Sequence, residues 1–257
     1  MKSLPILCIT ALLQFAGLKT AGQPYMYLDE SLKVAAKPMP AKRKGMGAVG
    51  KYEFGPYRIL SGKAAWTTTK EKSGFVSGDT QIESKTKKSF VFRGPGNDTV
   101  TANISISSFM QLREQYGFIF RTLTGWSDQV VTESQESFYA SFRFSSDTGV
   151  WNLLLVYPVG EELEWPIRSD MMDLFKGVFS NNQTDIDIEP VFLWENGEPA
   201  TMFKPVEGYR FLLNGMTVAA VQVLPAQKIT AWIRPDLPDH LRLALAAGVA
   251  ALMVRSN

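Results

Sequence analysis

Apolar and polar positions alternate in steps of two along most of this chain. Phe138-Tyr-Ala-Ser-Phe-Arg-Phe144 places Phe138, Ala140, Phe142 and Phe144 on one face and Tyr139, Ser141 and Arg143 on the other, which predicts a strand. Comparable runs cover 53–60, 64–69, 75–81, 89–93, 99–108, 116–123, 150–157, 185–194, 209–213, 217–223 and 228–233. Gly94-Pro-Gly-Asn-Asp98, Ser145-Ser-Asp-Thr-Gly149, Glu195-Asn-Gly-Glu-Pro199 and Asn214-Gly215 separate them with turn chemistry. The pattern predicts one mainly β domain over 51–257, an antiparallel barrel or sandwich of about twelve strands.

The end of the chain breaks this period. Asp236-Leu-Pro-Asp-His-Leu-Arg and the apolar run that follows to Val254 predict a helix capped by Asp236, with Pro238 and Asp239 in its first turn and Arg255 at its end. Apart from Arg242, the stretch from Leu241 to Val254 has no polar side, so something must enclose the helix all round. It is too short for a comfortable membrane span. Taken from Leu237 to Val254 it is about 27 Å long, which suits the axis of a closed barrel. A second, smaller helix is predicted over 170–179, capped by Ser169, because Met171, Met172, Phe175, Val178 and Phe179 share one helical face as a plug or connector.

The start of the chain has the layout of a secretory leader. Lys2 is followed by an apolar stretch from Leu4 to Ala16 and by the small residues Thr20-Ala21-Gly22, so cleavage is expected after Gly22 and the protein is expected to be periplasmic or secreted. Cys8, the single cysteine, leaves with that leader, and the mature chain then has no disulfide and no thiol chemistry. Asn97-Asp-Thr99, Asn103-Ile-Ser105 and Asn182-Gln-Thr184 match the glycosylation pattern, which short matches do often by chance. Residues 23–50, rich in Pro, Gly and Lys, read as an extended or mobile basic arm.

Charge changes the picture once it is followed along the sequence. Residues 31–93 carry fourteen Lys and Arg against four Asp and Glu, whereas 94–257 carry eleven against nineteen. Lys42-Arg43-Lys44 and the group Lys85, Lys87 and Lys88 are the densest cationic pieces, and they are the candidate contacts for an anionic lipid or polyanion. Solvated surface and complementarity between the two parts are the competing readings. Nucleic acid is not favoured, since neither zinc-finger spacing nor a stacking motif accompanies the charges.

Two pieces of the carboxyl-terminal sequence resemble a known family. Phe211-Leu-Leu-Asn-Gly-Met-Thr-Val-Ala-Ala-Val-Gln-Val223 is similar to a strand pair around an Asn-Gly turn, and Trp232-Ile-Arg-Pro-Asp-Leu-Pro-Asp-His-Leu-Arg-Leu-Ala-Leu-Ala-Ala-Gly248 to a last strand entering a buried helix, in the tubby C-terminal-like superfamily. That superfamily includes the LURP-one-related proteins and the phospholipid scramblases. The resemblance covers about residues 209–254 and implies a closed barrel of twelve antiparallel strands around a central C-terminal helix. The family's phosphoinositide-binding basic residues and palmitoylated cysteines have no counterparts here, so the resemblance carries fold and not ligand.

Catalysis is read by elimination. His240 is the only histidine, so Cys–His chemistry and a histidine-rich metal site are excluded for one chain, and any Ser-His-Asp triad must use it. Gly74-Phe-Val-Ser-Gly78 is not a nucleophile elbow, and Gly45-Met-Gly47 and Gly94-Pro-Gly96 lack the following helix of a phosphate loop. Glu161, Glu162 and Glu164 beside Trp165, and Asp185, Asp187 and Glu189 on one strand face, leave three readings: glycoside hydrolysis, calcium, or a wet strand face. The sequence therefore favours a non-catalytic, cofactor-free binding or envelope-associated module. A carbohydrate-active enzyme built on Glu164 and Asp187, or a subunit of a larger assembly, is the alternative.

Overall fold

The computed structural model of the chain describes residues 25–45, 47, 49–73, 79–96, 98–114, 129–146, 149–157, 175–201 and 206–255. The expected leader, the predicted strand 116–123 and the carboxylates Glu161, Glu162 and Glu164 lie outside them.

Fourteen strands form a single antiparallel sheet. In chain order these are β1 (Met39–Pro40), β2 (Lys42–Lys44), β3 (Lys51–Phe54), β4 (Tyr57–Ala64), β5 (Thr68–Ser73), β6 (Asp79–Arg93), β7 (Thr99–Glu114), β8 (Gln129–Phe144), β9 (Val150–Tyr157), β10 (Lys176–Ser180), β11 (Asp185–Val191), β12 (Glu207–Leu213), β13 (Met216–Leu224) and β14 (Thr230–Ile233). Two α-helices are described, α1 (Glu30–Ala35) and α2 (Asp239–Arg255). From β2 to β14 each strand pairs with the next, except that β5 lies beside β6 as a continuation of β4.

Thirteen strands make a nearly closed barrel. Its two ends are one piece of chain: Met39 and Pro40 pair with β14, Lys42 to Lys44 pair with β3, and the Ala41 N–H between them donates to the Ile229 carbonyl. Closure removes the open edges that a sheet of this size otherwise presents. Helix α2 runs inside. Every residue from Leu241 to Val254 is buried except Arg242, so the helix that is apolar on all sides is covered on all sides, by Phe211, Leu153 and Phe179 near Gly248 among others. Asn214 and Gly215 take positive φ in the turn between β12 and β13, as that dipeptide is suited to do.

Four sequence expectations are corrected. Residues 25–44 are not a free arm. Met26, Leu32 and Ala36 are buried with Val191, Trp194, Ala220 and Trp232 in a second core on the outside of the barrel, and the segment then supplies the closing strand. Residues 176–180 are strand β10 and not the end of a helix, since Val178 and Phe179 pair with Leu154 and Leu153; 158–174 lie outside the described residues. The runs 75–81 and 89–93 belong to one region, for β6 is continuous from Asp79 to Arg93. Helix α2 starts at Asp239, and Asp236 instead accepts two hydrogen bonds from Arg234, at 2.6 and 3.0 Å.

Candidate functional site

Alternation along the strands sorts the cations of the amino-terminal part onto one surface. Tyr52, Phe54, Tyr57, Ile59, Phe90 and Phe92 point into the barrel, so the residues between them point out. The outer wall thereby receives Lys42 and Lys44 from β2, Lys51 from β3, Arg58 and Lys63 from β4, Lys70 and Lys72 from β5, and Lys85, Lys87 and Arg93 from β6. Register makes the wall continuous: Lys42 lies opposite Glu53, Glu53 opposite Arg58 and Arg58 opposite Arg93, while Thr68 and Lys70 flank Lys85 and Glu83.

Few carboxylates interrupt it. Glu53 receives Lys44 Nζ at 2.7 Å, and that hydrogen bond holds its carboxyl below the ordinary value. Among the described side chains at these outward positions, Glu83 is the other acidic one; Asp79 shares its parity on β6. The remaining cations are mostly exposed, and like charges so arranged need an anionic counterpart or bulk salt.

The candidates named from sequence separate into three groups. Lys42, Lys44, Lys85 and Lys87 stand on this wall. Arg43 has the opposite parity, lies across from Tyr52 and folds back over Gly50, with Nη2 donating to the Gly47 carbonyl at 3.4 Å. Lys88 is not on the surface at all. It is 8% exposed, shares its parity with Phe90 and Phe92, and its ammonium donates to the Val254 carbonyl at 2.8 Å. Burial lowers its pKa, and the Arg43 charge lowers it further. Grouping Lys85, Lys87 and Lys88 by sequence density overlooked the period of two. Applying it to Phe90 and Phe92 separates Lys88 from the pair, and it adds Lys51, Arg58, Lys63, Lys70, Lys72 and Arg93 to the wall.

One aromatic side chain stands among these charges. Between β4 and β5 the chain leaves β6 for three residues, held by the Ala65 N–H on the Lys87 carbonyl and by Thr67 Oγ1 against Thr86 Oγ1, at 2.8 Å each. Trp66, at the centre of this break, is 95% exposed. It lines a shallow groove with Lys70, Lys85, Lys87, Ser107 and Phe109. An indole this exposed leaves most of its apolar area in water, and it is the most exposed large apolar side chain described.

The other candidates are structural or solvated. Asp185, Asp187 and Glu189 lie on the exposed outer face of β11, and Glu189 is held by Arg210, which also binds Asp29 at 3.0 Å. At the carboxyl end of α2, Arg255 spans Glu136, Glu207 and the Tyr209 hydroxyl and lies over the Tyr157 ring, closing that end with paired charges. Burial raises the pKa of both tyrosines, so both keep their protons. His240 is exposed in the first turn of α2. Among the described residues there is no cluster of three metal-ligating side chains, and no helix is long and apolar enough to cross a membrane. No family model, curated protein or solved structure matches the chain.

Proposed function

We propose that this protein is an exported, non-catalytic binding module that lays the outer wall of β2–β6 against an anionic lipid surface. The observation that carries the reading is the collection of ten cations, Lys42, Lys44, Lys51, Arg58, Lys63, Lys70, Lys72, Lys85, Lys87 and Arg93, on one face with Glu53 and Glu83. Each Lys or Arg held near an anionic leaflet contributes about 1 kcal/mol, so several acting together suffice for reversible attachment. Trp66 favours a bilayer over a soluble polyanion, because indole rings partition to the boundary between headgroups and acyl chains. Export rests on the leader-like residues 1–22. The tubby-like resemblance stands as a proposal on residues 209–254.

The test is co-sedimentation of the protein beginning at Gln23 with phosphatidylglycerol vesicles and with phosphatidylcholine vesicles. Binding to the anionic vesicles should be strong at low ionic strength and fall steeply toward about 0.5 M salt, as screening shortens the reach of each charge. The double variant Lys85→Glu, Lys87→Glu should weaken it without loss of fold. Equal binding to both vesicles, or none to the anionic ones at low salt, rejects the reading.

A further inference from the structure

At the opposite end of the barrel from Arg255, where α2 begins, the strands enclose a bowl of about 620 Å³. Tyr57 and Trp151 line it, 5% and 4% exposed, each packed on a barrel aromatic: Tyr57 stacks on Phe92 at 6.0 Å between centroids, and Trp151 is tilted against Phe179 at 4.7 Å. Each ring carries one polar atom that can donate a hydrogen bond, a phenol O–H and an indole N–H. A third donor beside them, Arg242 Nε, is buried without a hydrogen-bond partner, while Arg242 Nη2 holds Asp239. A buried donor left unmatched beside a cavity is an arrangement that folding alone does not require.

We propose that this bowl binds a small uncharged polyhydroxylated molecule, a saccharide of one or two rings. The volume lies within the range of small-molecule sites. The phenol O–H of Tyr57, the indole N–H of Trp151 and Arg242 Nε belong to residues that line the bowl, and the acceptor oxygens of hydroxyls suit all three. The rim provides the converse groups: Asp98 accepts, and Gln183 and Thr184 both donate and accept. An anion is disfavoured despite the start of a helix nearby, because Asp98 and Asp239 both face the cavity and Arg242 is already committed to Asp239. The site is independent of the basic wall and uses none of its residues apart from the shared fold.

The test titrates the chain beginning at Gln23 with glucose, N-acetylglucosamine, maltose and cellobiose, reading tryptophan fluorescence and calorimetry, with glucuronate and inorganic phosphate as charged comparisons. At least one neutral sugar should bind with a Kd at or below about 10 mM, and Tyr57→Phe, which removes one oxygen and no volume, should weaken it about tenfold. Gln183→Ala, an exposed rim change that leaves the core untouched, should weaken it as well. The double variant Lys85→Glu, Lys87→Glu should bind the sugar as the unmodified chain does, so loss of vesicle binding and loss of sugar binding report on different readings. No response to any neutral sugar up to about 50 mM overturns the proposal. So does binding that neither Tyr57→Phe nor Gln183→Ala alters, or a preference for glucuronate or phosphate.

Discussion

The ammonium of Lys88 and the carbonyl of Val254 meet at 2.8 Å inside the barrel, which joins the wall to the last turn of the central helix. Lys88 is therefore expected to serve stability, and Lys85 and Lys87, on the other face of the same strand, to serve binding. Lys88→Ala should lower unfolding stability by about 2–3 kcal/mol, through a lost charge-assisted hydrogen bond and lost packing of its stem, and leave vesicle binding unchanged. Denaturant unfolding and vesicle co-sedimentation of both variant sets decide the assignment.

The same residue predicts a pH dependence. Its folded pKa lies below its ordinary value of 10.5, so the unfolded chain holds the proton more tightly than the folded one. The penalty that burial and Arg43 place on its charged form is absent above the unfolded value and reaches its full size as pH falls through the folded one. Between those two values the unmodified protein should gain stability relative to Lys88→Met as pH rises. A stability difference between the two proteins that stays flat or falls over that window contradicts the assignment.

Trp66→Ala removes an apolar ring that the fold does not use. Stability should change by less than about 0.5 kcal/mol. Binding to phosphatidylglycerol vesicles should weaken roughly tenfold, and binding to heparin in solution should not change. Equal loss for both partners would mean that the indole stacks on a polyanion and does not enter a bilayer.

Gly248 and Gly208 differ in what an added side chain meets. A Cβ at Gly248 reaches Phe211 at 3.4 Å and Leu153 at 3.6 Å, close to ordinary contact, so Gly248→Ala should be nearly neutral or stabilise by up to about 1 kcal/mol through helix propensity. Gly248→Phe has no room there and should cost about 3 kcal/mol or prevent folding. At Gly208 a Cβ falls 2.7 Å from the Val221 carbonyl oxygen and collides with Met26, so even Gly208→Ala should cost about 1–3 kcal/mol. Thermal melts of the three variants rank the predictions.

The fold was legible where period and burial agree. Phe138 to Phe144 and Asp185 to Ile188 alternate because one face is packed and the other wet, and the helix from Leu241 to Val254 reads as enclosed because no side of it is polar. Val178 and Phe179 misled, since a short apolar run fits a helix face and a strand equally well until its pairing with Leu154 and Leu153 is known. Met26 and Leu32 were hidden for another reason. Their burial depends on Trp194 and Trp232, which lie far along the chain, and no local pattern reports that. The basic wall was half legible: charge density along the sequence found Lys85 and Lys87, but only strand register joins them to Lys51, Arg58 and Lys63. Nothing in the sequence joined Tyr57 to Trp151.

The strand that closes the barrel imposes an order on synthesis. Met39 and Pro40 leave a ribosome well before their partners Ala231 and Thr230 and before the helix that fills the interior. The barrel cannot be completed while residues 230–255 remain in the exit tunnel, and until then β1 has no partner strand and the wall of β2–β6 has no helix beneath it. A nascent chain of this kind stays open until β14 and the central helix have emerged. That is a state in which a holding chaperone has aromatic strands such as Phe138 to Phe144 to protect.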